Sequence, residues 1–145
     1  MNPGDMGNLG TIIRTMAGFG VRSLAIITPA ADLFDPKTIR ASMGAVFRIN
    51  ASLFNSFEAY REMFPDHACF PFMTDGETML EPEASERLSA YPYTLIFGNE
   101  AAGLDTRFKD CGIAVKIPQT GLVDSLNLSV CAGIGLYCFT SLQRQ

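Results

Sequence analysis

Three segments of this 145-residue chain combine glycine, short polar side chains and a single charged group in an order that suits ligand chemistry. The first runs Asn2-Pro3-Gly4-Asp5-Met6-Gly7-Asn8-Leu9-Gly10-Thr11-Ile12-Ile13-Arg14-Thr15. Glycines and small polar residues open an amphipathic helix there, which leaves backbone amides exposed at its mouth. Asn8 is placed to cap that helix, and Arg14 falls on a different face from Ile12, Ile13 and Met16, so its guanidinium can reach outward. The second segment, Leu95-Ile96-Phe97-Gly98-Asn99-Glu100-Ala101-Ala102-Gly103-Leu104, is a buried-type strand running straight into a glycine-bracketed loop. Ligands on open parallel sheets sit outside the carboxyl ends of strands. Gly98 would let a ligand approach the backbone, and Glu100 places a carboxylate at the rim. The third, Ile117-Pro118-Gln119-Thr120-Gly121-Leu122-Val123-Asp124-Ser125-Leu126-Asn127-Leu128-Ser129, is a strand end, a loop and a helix with Ser and Asn at its mouth. Taken singly, each has a plain structural explanation: a capped surface helix with a solvated arginine, a glycine turn, and Ser125 as the cap of the last helix.

Positioning these segments requires a sheet, and the chain supplies its pattern. Short apolar, β-rich runs alternate with helical stretches, the mark of an α/β domain with a mostly parallel sheet and helices on both faces. Strands are predicted at 23–27, 69–73, 93–97 and 114–117, with 45–49 as a fifth. Helices fit at about 9–18, 36–42, 57–64, 82–88 and 126–142. Asp35 before Pro36, and Ser56 followed by Glu58 and Glu62, are helix starts, while Gly20 is a stop. The last helix is apolar on nearly every face, through Leu126, Leu128, Val130, Cys131, Ile134, Leu136, Tyr137 and Phe139, so it is expected to be covered on more than one side. Gly133 and Gly135 would admit a neighbouring backbone, with Ile134, Tyr137 and Phe139 completing a self-complementary patch.

Composition sets the outer bounds. Hydrophobic residues make up 48% and charged ones 18%, which excludes a disordered chain. No apolar run reaches the ~18 residues a membrane helix needs, and no basic stretch precedes an apolar core at the start; a single cytoplasmic domain over 1–145 is the expectation. Cys69, Cys111, Cys131 and Cys138 form no C-x-x-C pair and His67 is the sole histidine, so metal-ligand spacing is missing and the thiols read as reduced. The net charge of −4 weighs against a nucleic-acid partner. Against that, Arg14, Arg22, Lys37, Arg40 and Arg48 fall in the first third while acids concentrate between Glu58 and Glu86, which leaves room for a basic face.

Together, in this order, the three segments resemble the motifs of the SpoU (TrmH) branch of the SPOUT RNA methyltransferases. The Asn-x-Gly-x-x-x-Arg core falls on Asn8, Gly10 and Arg14, and the Gly-Asn-Glu-x-x-Gly-Leu core begins at Gly98 and ends at Leu104. The Ile-Pro…Gly…Ser-Leu-Asn-x-Ser core begins at Ile117 and ends at Ser129, and Ser42-Met43-Gly44-Ala45 is similar to a further family signature. The resemblance covers nearly the whole chain. It implies an α/β-knot fold with a C-terminal deep trefoil knot, and transfer of a methyl group from S-adenosyl-L-methionine (AdoMet) to a ribose 2′-hydroxyl of tRNA or rRNA. It also implies a homodimer in which the arginine of one subunit approaches the cofactor of the other.

Carried onto this chain, the resemblance makes Gly98, Ile117 and Leu126 the cofactor-binding backbone, with Met73 and Thr74 at the preceding strand end as further candidates. Arg14 takes the catalytic place, and Asn8, Glu100, Ser125 and Asn127 position sugar, arginine and cofactor; no metal is implied. Because a guanidinium titrates above about pH 12 it is a poor base, so phosphate binding and stabilisation of developing charge are the expected roles of Arg14. Relatives carry an apolar strand immediately before the first motif and often an added RNA-recognition domain, and this chain is expected to lack both. Two other readings stay open: a non-catalytic knotted RNA-binding module, and a nucleotide-binding α/β domain acting on a small molecule.

Overall fold

The computed structural model describes residues 1–80 and 92–141. The chain divides into two units, Met1–Pro65 and Asp66–Gln145.

In the first unit, α1 (Met6–Gly18) begins one turn earlier than its apolar periodicity suggests. The cap is Asp5, held in extended backbone, whose side chain accepts the Asn8 amide. Asn8 therefore lies inside the first turn and does not cap the helix. Leu9, Ile12, Ile13 and Met16 form the buried stripe. The helix stops as Gly20 predicts. With φ at +79°, Gly20 donates its amide to Ala17, and Val21 donates to Met16, the paired bonds of a left-handed helix stop. Strand β1 (Ser23–Ile27) pairs in parallel with β2 (Asn50–Phe54), from Ser23 opposite Asn50 to Ile27 opposite Phe54. Between them α2 (Pro36–Ala41) is capped by Asp35 with Pro36 in the first turn, and α3 (Phe57–Met63) follows β2 with Ser56 as its cap. Both starts match the sequence expectation.

The strand expected at 45–49 is a 3-10 turn over Ala45–Arg48. Met43 and Gly44 take positive φ, 51° and 78°, and this reversal curls the apolar run so that Ala45 and Val46 enter the core. The strand comes directly afterwards, started by the Asn50 amide donating to the Arg22 carbonyl. Its side chains, Asn50, Ser52 and Leu53 exposed against one buried Phe54, give no alternation to read.

The second unit holds β3 (Ala68–Pro71), β4 (Thr78–Met79), β5 (Tyr93–Ile96), β6 (Val115–Lys116) and α4 (Leu128–Ser141). β3 pairs with β5 and β4 with β6, both in parallel, and a parallel bridge from Phe72 to Val115 joins the two pairs. The resulting order is β5-β3-β6-β4. The helix expected at 82–88 lies outside the described residues.

Helix α4 buries one face, Leu128, Ala132, Gly135, Leu136 and Phe139, at helical spacing. Phe139 packs on Phe70 at 4.9 Å between ring centroids and on Tyr93 at 5.3 Å, within a core that includes Leu80 and Val115. Each such side chain contributes on the order of 2 kcal/mol by leaving water. Gly135 faces the stacked rings of Phe72 and Phe97, where a Cβ would stand 2.7 Å from the Phe72 ring. Gly135 and Phe139 are thus spent on the chain's own core and do not supply the self-complementary patch expected of them. Val130 and Tyr137 are exposed on the other side, at 49% and 61%.

Candidate functional site

Arg14 stands on the solvent face of α1, opposite the buried stripe, and makes no ion pair among the described residues. The helix that carries it is closely packed against α2. Gly10, one turn earlier, lies so close to α2 that a Cβ would come within 2.6 Å of both the Thr38 carbonyl and the Ala41 side chain. Thr38 and Ser42 are buried, the first donating to the Asp32 carbonyl at 2.8 Å and the second to the Ile39 carbonyl at 2.9 Å. The glycine of the first motif and the serine of the Ser-Met-Gly-Ala segment are therefore two sides of one helix contact that sets the direction of α1. At the helix mouth Lys37 donates to Asp5 at 3.1 Å, tying α2 to the α1 cap. The Asn8 amide and then Lys37 hold the Asp5 carboxyl below its ordinary range. Asn8 is half-buried in that first turn, roughly 9 Å along the axis from Arg14.

In the second unit, the parallel register puts the ends of three segments at one level. Phe72 bridges Val115 and donates to the Ile96 carbonyl, so the chain after β3, after β5 and after β6 leaves the same carboxyl edge. Met73, Thr74, Gly98 and Ile117 lie within a residue or two of that edge. Asp75, next to Thr74, pairs with Lys109 at 2.6 Å, and that hydrogen bond is the main cause of its lowered pKa.

The loop after β5 closes on itself. Asn99 and Gly103 exchange two backbone hydrogen bonds, at 3.2 and 2.9 Å, while the Asn99 side chain accepts the amides of Ala101 and Ala102. A Cβ at Gly98 would overlap the Gly103 carbonyl and lie 2.6 Å from the Leu104 amide nitrogen. The close approach that this glycine permits is thus made first by the loop's own backbone. Glu100 stands exposed at the tip, as expected. Asn99 was not singled out from the sequence; an Asn followed by small residues is the ordinary signal for such a turn.

The loop after β6 is open, with Leu122 88% exposed beyond Gly121, whose φ is +80°. Ser125 is exposed and Leu126 half-buried. The cap of α4 is Asn127, not Ser125. Its Oδ1 accepts the Ser129 amide at 2.8 Å and the Ser129 hydroxyl at 2.6 Å. The helix begins two residues later than expected because asparagine offers an oxygen with the right reach, a role a serine at 125 would fill only for an earlier start.

None of the four cysteines is joined in a disulfide; Cys69 is buried and the others are partly so. Burial pushes the Cys131 and Cys138 thiols up. Among the described residues no three His, Cys, Asp or Glu side chains cluster for a metal, and no helix is long and apolar enough to cross a membrane.

Comparison with known proteins places this geometry in context. The family model described as SpoU rRNA Methylase matches residues 1–137. The chain is 31% identical over 144 residues to the 23S rRNA (uridine(2479)-2′-O)-methyltransferase of Streptomyces viridochromogenes, covering 93% of this chain and 48% of that protein. It superposes on an AdoMet-bound rRNA methyltransferase from Sinorhizobium meliloti with a TM-score of 0.83 at 32% identity, over 97% of this chain and 54% of that one. A structure described as giving insight into 2-OH methylation of C/U34 on tRNA superposes with a TM-score of 0.85 at 32% identity, over 99% of this chain and 93% of that one. The chain spans about half the length of the first curated relatives it matches.

Proposed function

The chain belongs to the SpoU rRNA methylase family, and from that membership we propose that it transfers the methyl group of AdoMet to a ribose 2′-hydroxyl of rRNA or tRNA. The observation that carries this reading is the shared carboxyl edge: the family's second and third motif loops both leave the same end of one parallel sheet. The residues there fit the cofactor. Backbone groups at Gly98, Ile117 and Leu126, with Met73 and Thr74 beside them, offer neutral donors and acceptors suited to an adenine and an amino acid, and Ile117 and Leu126 add half-buried apolar surface. When bound, AdoMet supplies an electrophilic methyl group.

The chain's own contribution is orientation and charge. Arg14 binds a substrate phosphate and stabilises negative charge developing on the ribose oxygen, a task for which its planar pair of donors is suited. Asn8, Glu100 and Ser125 position the sugar and the cofactor. Asn127 divides its amide group between the α4 cap and that task. The two units act as one methyltransferase domain in the cytoplasm, with the C-terminal strand, loop and α4 forming the family's trefoil knot.

The protein works as a homodimer, with Arg14 of one copy serving the cofactor of the other. The exposed apolar side chains Val130 and Tyr137, two turns apart on one face of α4, support this. Calorimetry with AdoMet, followed by transfer of labelled methyl to rRNA and tRNA, tests the proposal. Binding with transfer bears it out; binding without transfer points to a silent RNA-binding module, and a folded chain that does not bind AdoMet overturns it.

A further inference from the structure

The first unit carries a surface that the reaction does not use. From the last turn of α2 to the start of β2, residues 40–48 turn four large side chains outward, Arg40, Met43, Phe47 and Arg48, while Ser42, Ala45 and Val46 are buried. Met43 and Phe47 are 73% and 70% exposed, and Phe34 nearby in sequence is 61% exposed. Phe34, Val46, Ile49 and Leu53 line a cleft of about 460 Å³, and Phe47 and Arg48 lie in sequence between two of those lining residues. Large apolar side chains grouped in one exposed run, with a cation at each end, mark an interaction surface rather than scattered exposure.

Charge says what fits. Arg40 and Arg48, like Arg14 and Arg22 in the same unit, make no ion pair among the described residues. Of the carboxylates in this unit, Asp5 is paired with Lys37, while Asp32 and Asp35 accept the backbone amides of Phe34 and Lys37 and keep their charge beside Phe34. The cationic part of this surface is therefore Arg40 and Arg48, on either side in sequence of the exposed Met43 and Phe47. Single-stranded nucleic acid has the complementary chemistry, with phosphates for guanidinium groups and base faces for aromatic side chains. A second copy docked by two-fold symmetry would instead bring like-charged arginines together.

We infer that the surface formed by Arg40, Met43, Phe47 and Arg48 is a platform for unpaired nucleotides of the RNA substrate, with Phe47 stacking on a base and Arg40 and Arg48 holding phosphates. This rests on the RNA-methyltransferase reading and adds to it where the substrate is gripped outside the reacting sugar.

The chain contains no tryptophan, so Phe47→Trp creates a single reporter. Titrated with a short single-stranded RNA of mixed sequence, the variant loses emission on binding and holds RNA at least as tightly as the parent. Phe47→Ala weakens binding about five-fold or more. Arg40→Ala and Arg48→Ala each lower the slope of log affinity against log salt by about 0.7. AdoMet affinity and melting temperature stay at parental values in all four variants. If the parent binds RNA while Phe47→Ala binds it equally well and the emission of Phe47→Trp is not quenched, the platform is refuted and the methyltransferase reading stands. If the parent binds no RNA, both fall. If Phe47→Ala changes the mass seen by light scattering and not the RNA affinity, the patch joins two copies of the chain and the RNA assignment is overturned.

Discussion

Gly98→Ala adds one methyl group where the loop after β5 folds back against its own first residue. The new Cβ would overlap the Gly103 carbonyl and stand 2.6 Å from the Leu104 nitrogen, both backbone groups that no rotamer change can move aside. Ordinary carbon contacts lie at about 3.5 Å, so the 103–104 backbone must retreat by more than about 1 Å. That retreat breaks the two hydrogen bonds between Asn99 and Gly103, at a net loss of about 1 kcal/mol each. The expected fall in stability is about 2 kcal/mol, or about 4–8 °C in melting temperature for a chain of this length. Displacement on the 1 Å scale at a cofactor-positioning backbone lowers transfer by about 10²-fold. Gly103→Ala is the matched control. Gly103 has φ of +67° but no atom within 4 Å of its Cβ position, so alanine there costs about 1 kcal/mol of backbone strain without moving the loop. Urea denaturation and AdoMet calorimetry on both variants decide the matter. If Gly98→Ala matches the parent, or loses no more stability and affinity than Gly103→Ala, the inference of a self-closed loop is wrong.

Arg14→Ala and Arg14→Lys both lose most methyl transfer with AdoMet affinity unchanged, because the side chain is solvent-facing; stability should shift by less than about 0.5 kcal/mol, and near-normal activity in Arg14→Lys would contradict the two-pronged geometry. Asn127→Ala uncaps α4 at a cost of about 1 kcal/mol, whereas Asn127→Asp keeps the cap oxygen and stability; if Asn127 also positions substrate, transfer falls in Asn127→Asp while the denaturation midpoint does not. The Asp5 carboxyl titrates below its ordinary 3.8 in the folded chain, so its contribution is present above that value and is lost as pH falls through the lowered one. Urea midpoints of Asp5→Asn against the parent should therefore differ at pH 6 and converge towards pH 2, and a constant difference would refute the linkage. Light scattering at micromolar concentration should report twice the 15.8 kDa chain mass, with Tyr137→Asp shifting it towards one; a monomeric parent removes the shared-site arrangement.

Local chemistry carried a large part of the fold into the sequence. The boundaries of β1, the caps Asp35 and Ser56, the stop at Gly20 and the outward face of Arg14 all follow from interactions within a few residues. Periodicity and capping report just that range. The three motif segments could likewise be read in order along the chain, because their glycines and polar residues answer needs of the backbone beside them.

What the sequence could not decide was settled by contacts between distant segments. Whether 45–49 extends or curls depends on two positive φ angles before it and on the core that accepts Val46. That Gly98 meets Gly103, and that Gly135 faces Phe72 and not a partner, are facts of packing in three dimensions. Asp5 and Asn127 displaced the expected caps because a helix starts where an oxygen reaches free amides, and several nearby residues could serve. Above all, the carboxyl edge that gathers Met73, Thr74, Gly98 and Ile117 comes from the parallel register of β3, β5 and β6, and hydrogen bonds between separate strands leave no mark in the spacing of residues along any one of them.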